Sequence, residues 1–139
     1  MGYTYYSSLV LIPNHHPLTL EELASRIQAK FSRRSDTTVE VNKSRILIRV
    51  GDWTLRLTWE DQKHVAEESA EIASFIKHPD QDMVAQCSRR ISTGGDDDPN
   101  MDHINDHIFV LEVFDSIPDL YYYDPMGGDF FKSPGIYGG

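Results

Sequence analysis

Between Asp96 and His107 the chain sets five carboxylates and two imidazoles within twelve residues: Asp96, Asp97 and Asp98, then Asp102, His103, Asp106 and His107. Carboxylates suit hard cations, and imidazoles suit zinc and other transition metals. His103 and His107 stand four apart, so on a helix they project from one face with Asp102 and Asp106 beside them. That makes Asp102, His103, Asp106 and His107 the candidate ligands for a divalent metal that would activate water, the only cofactor the sequence suggests. The pattern is incomplete. Ile104 follows His103 where a zinc protease carries its general-base Glu. Read as an EF-hand loop from Asp96, the segment has Met101 at the glycine position and His107 at that of the bidentate Glu. The same residues also have a plain structural use, as an N-cap and favourable negative charge at a helix start.

The second chemistry open to this segment is recognition by charge. Residues 1 to 63 carry nine Lys and Arg against seven Asp and Glu, whereas residues 64 to 139 carry four against fifteen. The net charge of −9 sets up a field that repels nucleic acid and anionic lipid but draws in basic protein surfaces. The candidate partner-binding residues are Asp96, Asp97, Asp98, Asp102 and Asp106, joined by Glu67, Glu68 and Glu71 of a predicted helix.

Other reactive groups are less well placed. Cys87 falls on the apolar side of a predicted helix, where a free cysteine acts as a small hydrophobe. No Ser sits in a G-x-S-x-G elbow, and Gly94-Gly95 and Gly127-Gly128 lack the Gly-Lys-Ser/Thr ending of a phosphate loop. His15 and His16 lie in a loop between prolines. A face carrying Arg45, Arg49 and Arg56 with Thr54 and Thr58 could meet an RNA backbone. The aromatics needed to stack bases, Trp53 and Trp59, are predicted on the other face, and the overall charge also reads against nucleic acid.

The elements that must hold these groups follow from periodicity. Tyr3 to Ile12 is aromatic and β-branched without charge, as in a strand buried on both faces. Thr19 and Glu22 form a capping box, with Leu18 and Leu23 as a hydrophobic staple, so a helix starts at Leu20. Gly51-Asp52 is a two-residue hairpin turn that pairs Val50 with Trp53, Ile48 with Leu55 and Ile46 with Leu57 on one apolar face. Thr38 to Val41 supplies a further strand. A helix from His64 buries Val65, Ser69, Ile72 and Ile76 and ends at Pro79. A second runs from Asp80 through Met83, Val84, Cys87 and Ile91 to a glycine C-cap at Thr93-Gly94-Gly95. Asp98-Pro99 opens a third, with Met101, Ile104, Ile108 and Leu111 as its core stripe. Leu120 to Tyr123 and Phe130-Phe131 are closing strands.

The expected order is β-α-β-β-β-α-α-α-β-β, an α+β fold whose antiparallel sheet carries its helices on one face, as a ferredoxin-like variant. Residues 1–132 form the expected single domain and 133–139 a flexible tail. One cysteine precludes an intrachain disulfide, and Met1 to Ile12 does not read as a secretory signal, so the expected location is the cytoplasm, away from any membrane. Function is expected to be binding of a basic protein partner, to neutralise or regulate it, by analogy of size and charge with the small acidic immunity proteins that block nuclease toxins. A small metal-dependent enzyme built on the Asp/His cluster is the alternative. A homo-oligomer that covers a strand edge or the apolar third helix is the other.

Overall fold

The computed structural model describes residues 6–134. The expected strand residues Tyr3 to Tyr5 and the tail residues beyond Pro134 lie outside them. The elements are β1 (Ser8–Ile12), α1 (Leu20–Lys30), β2 (Thr37–Val41), β3 (Arg45–Val50), β4 (Trp53–Glu60), α2 (Lys63–Phe75), α3 (Gln81–Ala85), β5 (Arg89–Gly95), α4 (Ile104–Ser116), β6 (Tyr121–Tyr123) and β7 (Phe130–Lys132). All seven strands form one antiparallel sheet in the order β2-β3-β4-β5-β1-β6-β7.

Alternation along β1 explains why this sheet has two covered faces. Val10 and Ile12 join a core with Leu23 and Ile27 of α1 and Val110, Val113 and Phe114 of α4. Leu11, between them, points the other way into a smaller core with Ile72 and Ala73 of α2, Val84 of α3 and Tyr121. The expectation of helices on one face is therefore corrected: α1 and α4 cover one side, α2 and α3 the other. The α2–α3 segment needs its own strand surface because its apolar stripe, Val65, Ile72, Ala73 and Val84, cannot be left in water.

The expected element order also fails at one place. The predicted helix from Asp80 to Ile91 stops at Ala85, and Arg89–Gly95 is a strand. From Arg89 onward side chains alternate across the sheet: Ile91 enters the major core and Thr93 is buried on the same side, while Arg90, Ser92 and Gly94 face the other way, with Arg90 buried there. Ser, Thr and Gly are weak helix formers, and this segment finds hydrogen-bonding partners on both sides, β4 and β1. Tertiary pairing overrides a short helical spacing. Gly94 and Gly95 are thus strand residues and not a C-cap. As a result β5 lies between β4 and β1, and β1 lies between β5 and β6.

The hairpin reading holds residue for residue, and Thr19 caps α1 as expected, although the Glu22 carboxylate turns to Arg26 at 3.2 Å instead of back to the Thr19 N–H. Val50 faces Trp53, Arg49 faces Thr54, and the ladder runs on to Arg45 opposite Thr58. Gly51 has φ +62°, a value that glycine adopts without Cβ strain. Thr19 Oγ accepts the Glu22 N–H at 3.1 Å, and Leu18 and Leu23 are both buried. Ser133, expected in the tail, is buried instead. Its hydroxyl accepts the Leu120 N–H at 2.9 Å and donates to the Ile117 carbonyl, which ties β7 to the end of α4.

Candidate functional site

Three segments meet at the end of the sheet where β5 finishes: the β3–β4 turn, the loop 96–103, and the first turn of α4. Asp96 extends the strand pairing by donating its own N–H to the Thr54 carbonyl at 2.9 Å. Its carboxylate accepts the Thr54 N–H at 3.1 Å and the Arg56 guanidinium at 2.9 Å. The Trp53 indole N–H donates to the Asp96 carbonyl at 2.9 Å. The β3–β4 hairpin is in this way fastened to the acidic loop.

Asp98 is the organising residue of that loop. It is 3% exposed and accepts the N–H groups of Asp102 and His103 at 3.0 and 2.9 Å and the Tyr6 hydroxyl at 2.5 Å. Burial works to raise its carboxyl, but these three donors more than offset that and hold it below the ordinary carboxylate range. Burial, and then the bond to Asp98, push the Tyr6 phenol well above its usual value. The helix therefore begins later than expected, at Ile104 with His103 in the cap position. Asp98 closes the preceding turn with its side chain, and Pro99 lies outside the helix.

Asp106 is likewise consumed inside the fold. It is 5% exposed, pairs with Arg34 at 2.7 Å and lies 3.0 Å from His103 Nδ1. The His103 ring stacks on Trp53 and the His107 ring on Tyr6, with centroids 4.4 and 4.6 Å apart. Burial drives the His107 imidazole down to about 4, and its Nδ1 has no hydrogen-bond partner among the described residues.

Of the expected metal ligands Asp102, His103, Asp106 and His107, only His103 and Asp106 come together, at 3.0 Å, and no group of three or more His, Cys, Asp or Glu able to hold a metal ion occurs among the described residues. Asp106 already has a guanidinium for its cation, and the two imidazoles are spread over separate aromatic rings. The core stripe of α4 is also the reverse of that expected. Asp106, Val110, Val113 and Phe114 face inward, while Met101 and Ile108 are 48% and 41% exposed.

What remains open is a cleft of about 250 Å³ lined by Asp52, Trp53, Asp96, Asp97, Asp98, Pro99, Asn100, Asp102 and His103. Asp52, Asp97 and Asp102 are exposed and have no ion pair among the described residues. Five carboxylates and one imidazole dominate its lining, which gives the cleft a negative potential. Of the expected partner-binding set, Asp97 and Asp102 line it with open carboxylates, Asp96 and Asp98 line it already bonded, and Asp106 is buried beneath it. Glu67, Glu68 and Glu71 sit on α2, in the opposite layer, where Glu68 lies 2.7 Å from the buried Arg90 and Glu67 and Glu71 are exposed.

Sequence reasoning missed Asp52, Tyr6 and Arg34. Asp52 was legible as a turn residue, and the hairpin register beside Trp53 was the signal for its position. Arg34 and Tyr6 reach the site only through tertiary packing. On the basic sheet face Arg49 is paired with Glu40 at 3.2 Å and Arg56 with Asp96 at 2.9 Å, while Arg45 is exposed without an ion pair among the described residues. A larger hollow of about 540 Å³ lies at the opposite end of β1, lined by His16, Leu18, Arg26 and Ile117 among others. There both His16 ring nitrogens are bonded, to the Pro118 carbonyl and the Leu18 N–H, and Arg26 is paired with Glu22. No helix among the described residues is long and apolar enough to cross a membrane. No family model, no curated protein and no solved structure matches the chain.

Proposed function

We propose that this protein is a non-catalytic binding module that captures a basic protein partner at the cleft between Gly51-Asp52 and the 96–103 loop, so as to neutralise or regulate it. One observation carries the reading: Asp98 and Asp106 spend their charge on holding the loop, whereas Asp52, Asp97 and Asp102 face solvent without an ion partner among the described residues. Unpaired carboxylates fixed on a rigid rim attract and orient a cationic surface before contact, which raises association rate and selects against acidic competitors. Small acidic immunity proteins work by that kind of complementarity, and the analogy rests on charge and size.

The fold assignment belongs to the same proposal. β1, α1, β4, β5, α4 and β6, with β5 inserted between β1 and β4, follow the split β-α-β pattern of a ferredoxin-like sheet. The β2–β3 ribbon and β7 then extend it at either edge, and α2–α3 is an insertion on its second face. A cytoplasmic setting fits the single cysteine, kept as a buried thiol.

The test combines native mass spectrometry of the protein from its own source cells with a salt titration. A stoichiometric basic protein is expected, with association slowing as ionic strength rises. Asp52→Asn, Asp97→Asn and Asp102→Asn together should weaken binding while leaving the fold intact. Association indifferent to salt and to these substitutions would overturn the reading.

A further inference from the structure

On α4 the ring of Phe109 packs beside Phe31 at the end of α1, with centroids 5.8 Å apart, under the Lys30 ammonium. That contact fixes which side of α4 faces α1. With 100° per residue, Ile104, Ile108 and Leu111 then fall on the outer flank away from α1. Ile108 is 41% exposed and the other two are half-buried. The strands on that flank show apolar groups on the same side of the sheet. Tyr122 pairs with Val10, whose side chain enters the major core, and packs against that core itself. Phe131 of the edge strand β7 stacks on Tyr122 at 4.7 Å and is 44% exposed. Among the described residues nothing covers Ile108 or Phe131, and the two apolar faces define a step with Ile104, Ile108 and Leu111 as its wall and Tyr122 and Phe131 as its floor.

The border of this step is acidic. Asp115 continues the outer flank of α4 one turn beyond Leu111, and Asp124 and Asp129 close the β6–β7 turn beside the Tyr122–Phe131 pair, where the Asp124 N–H donates to the Asp129 carbonyl at 2.9 Å. None of the three has an ion pair among the described residues. The described cation nearest in sequence to that turn, Lys132, is engaged by Asp80 and Asp119. A second copy of the chain would bring the same carboxylates against these, in a molecule already at −9, so self-association here is opposed by like charge.

We infer that this step receives an amphipathic helix of the basic partner, laid beside α4 as a third helix of its layer, with apolar residues against Ile108, Leu111 and Phe131 and Lys or Arg toward Asp115, Asp124 and Asp129. The inference rests on the binding reading above and supplies its mode, helix-in-groove recognition with charged flanks.

The probe is a synthetic amphipathic helix of Leu and Lys, compared with a Leu/Glu helix and with a Lys/Ser peptide of equal charge, titrated into the isotope-labelled full-length chain. Amide shifts at Ile104, Ile108, Leu111, Tyr122 and Phe131 are expected with Leu/Lys alone. Ile108→Ser and Phe131→Ser, both at exposed positions that should fold normally, should together weaken it roughly tenfold or more. Equal binding of the Lys/Ser peptide, or affinity unchanged in the double variant, would overturn the inference. So would a dimer of the protein that Ile108→Ser dissolves. Shifts confined to Asp52, Asp97 and Asp102 would remove the helix mode while leaving the binding reading in place. No binding of either Lys-bearing peptide at low salt would remove both.

Discussion

The imidazole of His103 lies flat on the indole of Trp53, with ring centroids 4.4 Å apart and planes 3° from parallel. Asp106 holds the imidazole in that plane through Nδ1, and Asp96 holds the indole through its N–H. The stack therefore joins the β3–β4 hairpin to α4. A double-mutant cycle with Trp53→Leu and His103→Ala should give a coupling of about 0.5–1.5 kcal/mol. Additive effects in urea unfolding would show that the two rings are neighbours without interacting.

Asp98 and Asp97 are adjacent in sequence but opposite in consequence. Asp98→Ala takes the acceptor from two half-buried backbone hydrogen bonds and from the Tyr6 hydroxyl, so it should cost about 3 kcal/mol. Asp97→Ala, at an exposed position, should stay within about 0.5 kcal/mol. Urea midpoints of the two variants check both values. Equal midpoints would deny Asp98 its role in closing the turn.

His107 gives the fold a pH dependence of definite sign. The unfolded ring takes up a proton near its ordinary value of 6.5, whereas the buried ring resists protonation until about 4. Unfolding therefore binds a proton in this window, and stability falls as pH drops from 6.5 toward 4, then levels off. The full effect is at most roughly 3 kcal/mol and is reduced by the partial exposure of the ring. His107→Phe keeps the stack on Tyr6 and removes the proton site. The difference in unfolding free energy between the parent and this variant should change across that window, and a constant difference would refute the assignment.

Cys87 is sealed between α3 and β1, and burial pushes its thiol up to about 12. A thiol reagent at pH 8 should label the native protein only at the rate of opening, and the unfolded protein at once. Prompt native labelling would mean that the smaller core is open to solvent.

Much of this arrangement was legible where local rules govern. The Gly51-Asp52 turn set the register of six facing pairs, and Thr19 set the start of α1. The failures have a common cause. Arg89–Gly95 carries a helical spacing and a strand spacing together, and only the presence of β1 and β4 on either side decides between them. In α4 apolar residues surround the axis, so the pattern cannot choose a face. The face is chosen by Asp106, which turns inward because Arg34, 72 residues earlier, meets it there. The acidic loop was legible as charge but not as geometry: which carboxylates are spent and which are open depends on Tyr6, Arg34 and Arg56, whose contacts no spacing reveals.

The central place of β1 bears on how the chain can be made. It is synthesised before every other described strand, yet both of its flanking strands come late, β5 at residues 89–95 and β6 at 121–123. Leu9 to Ile12 must therefore wait, apolar and unpaired along both edges, while more than eighty residues are added. The β2–β4 meander can close by itself in the meantime, since its partners are consecutive. Pairings of such sequence separation slow folding and lengthen exposure to misassembly. The period of greatest vulnerability for this protein thus falls during synthesis, and its most exposed segment then is the one most completely enclosed afterwards.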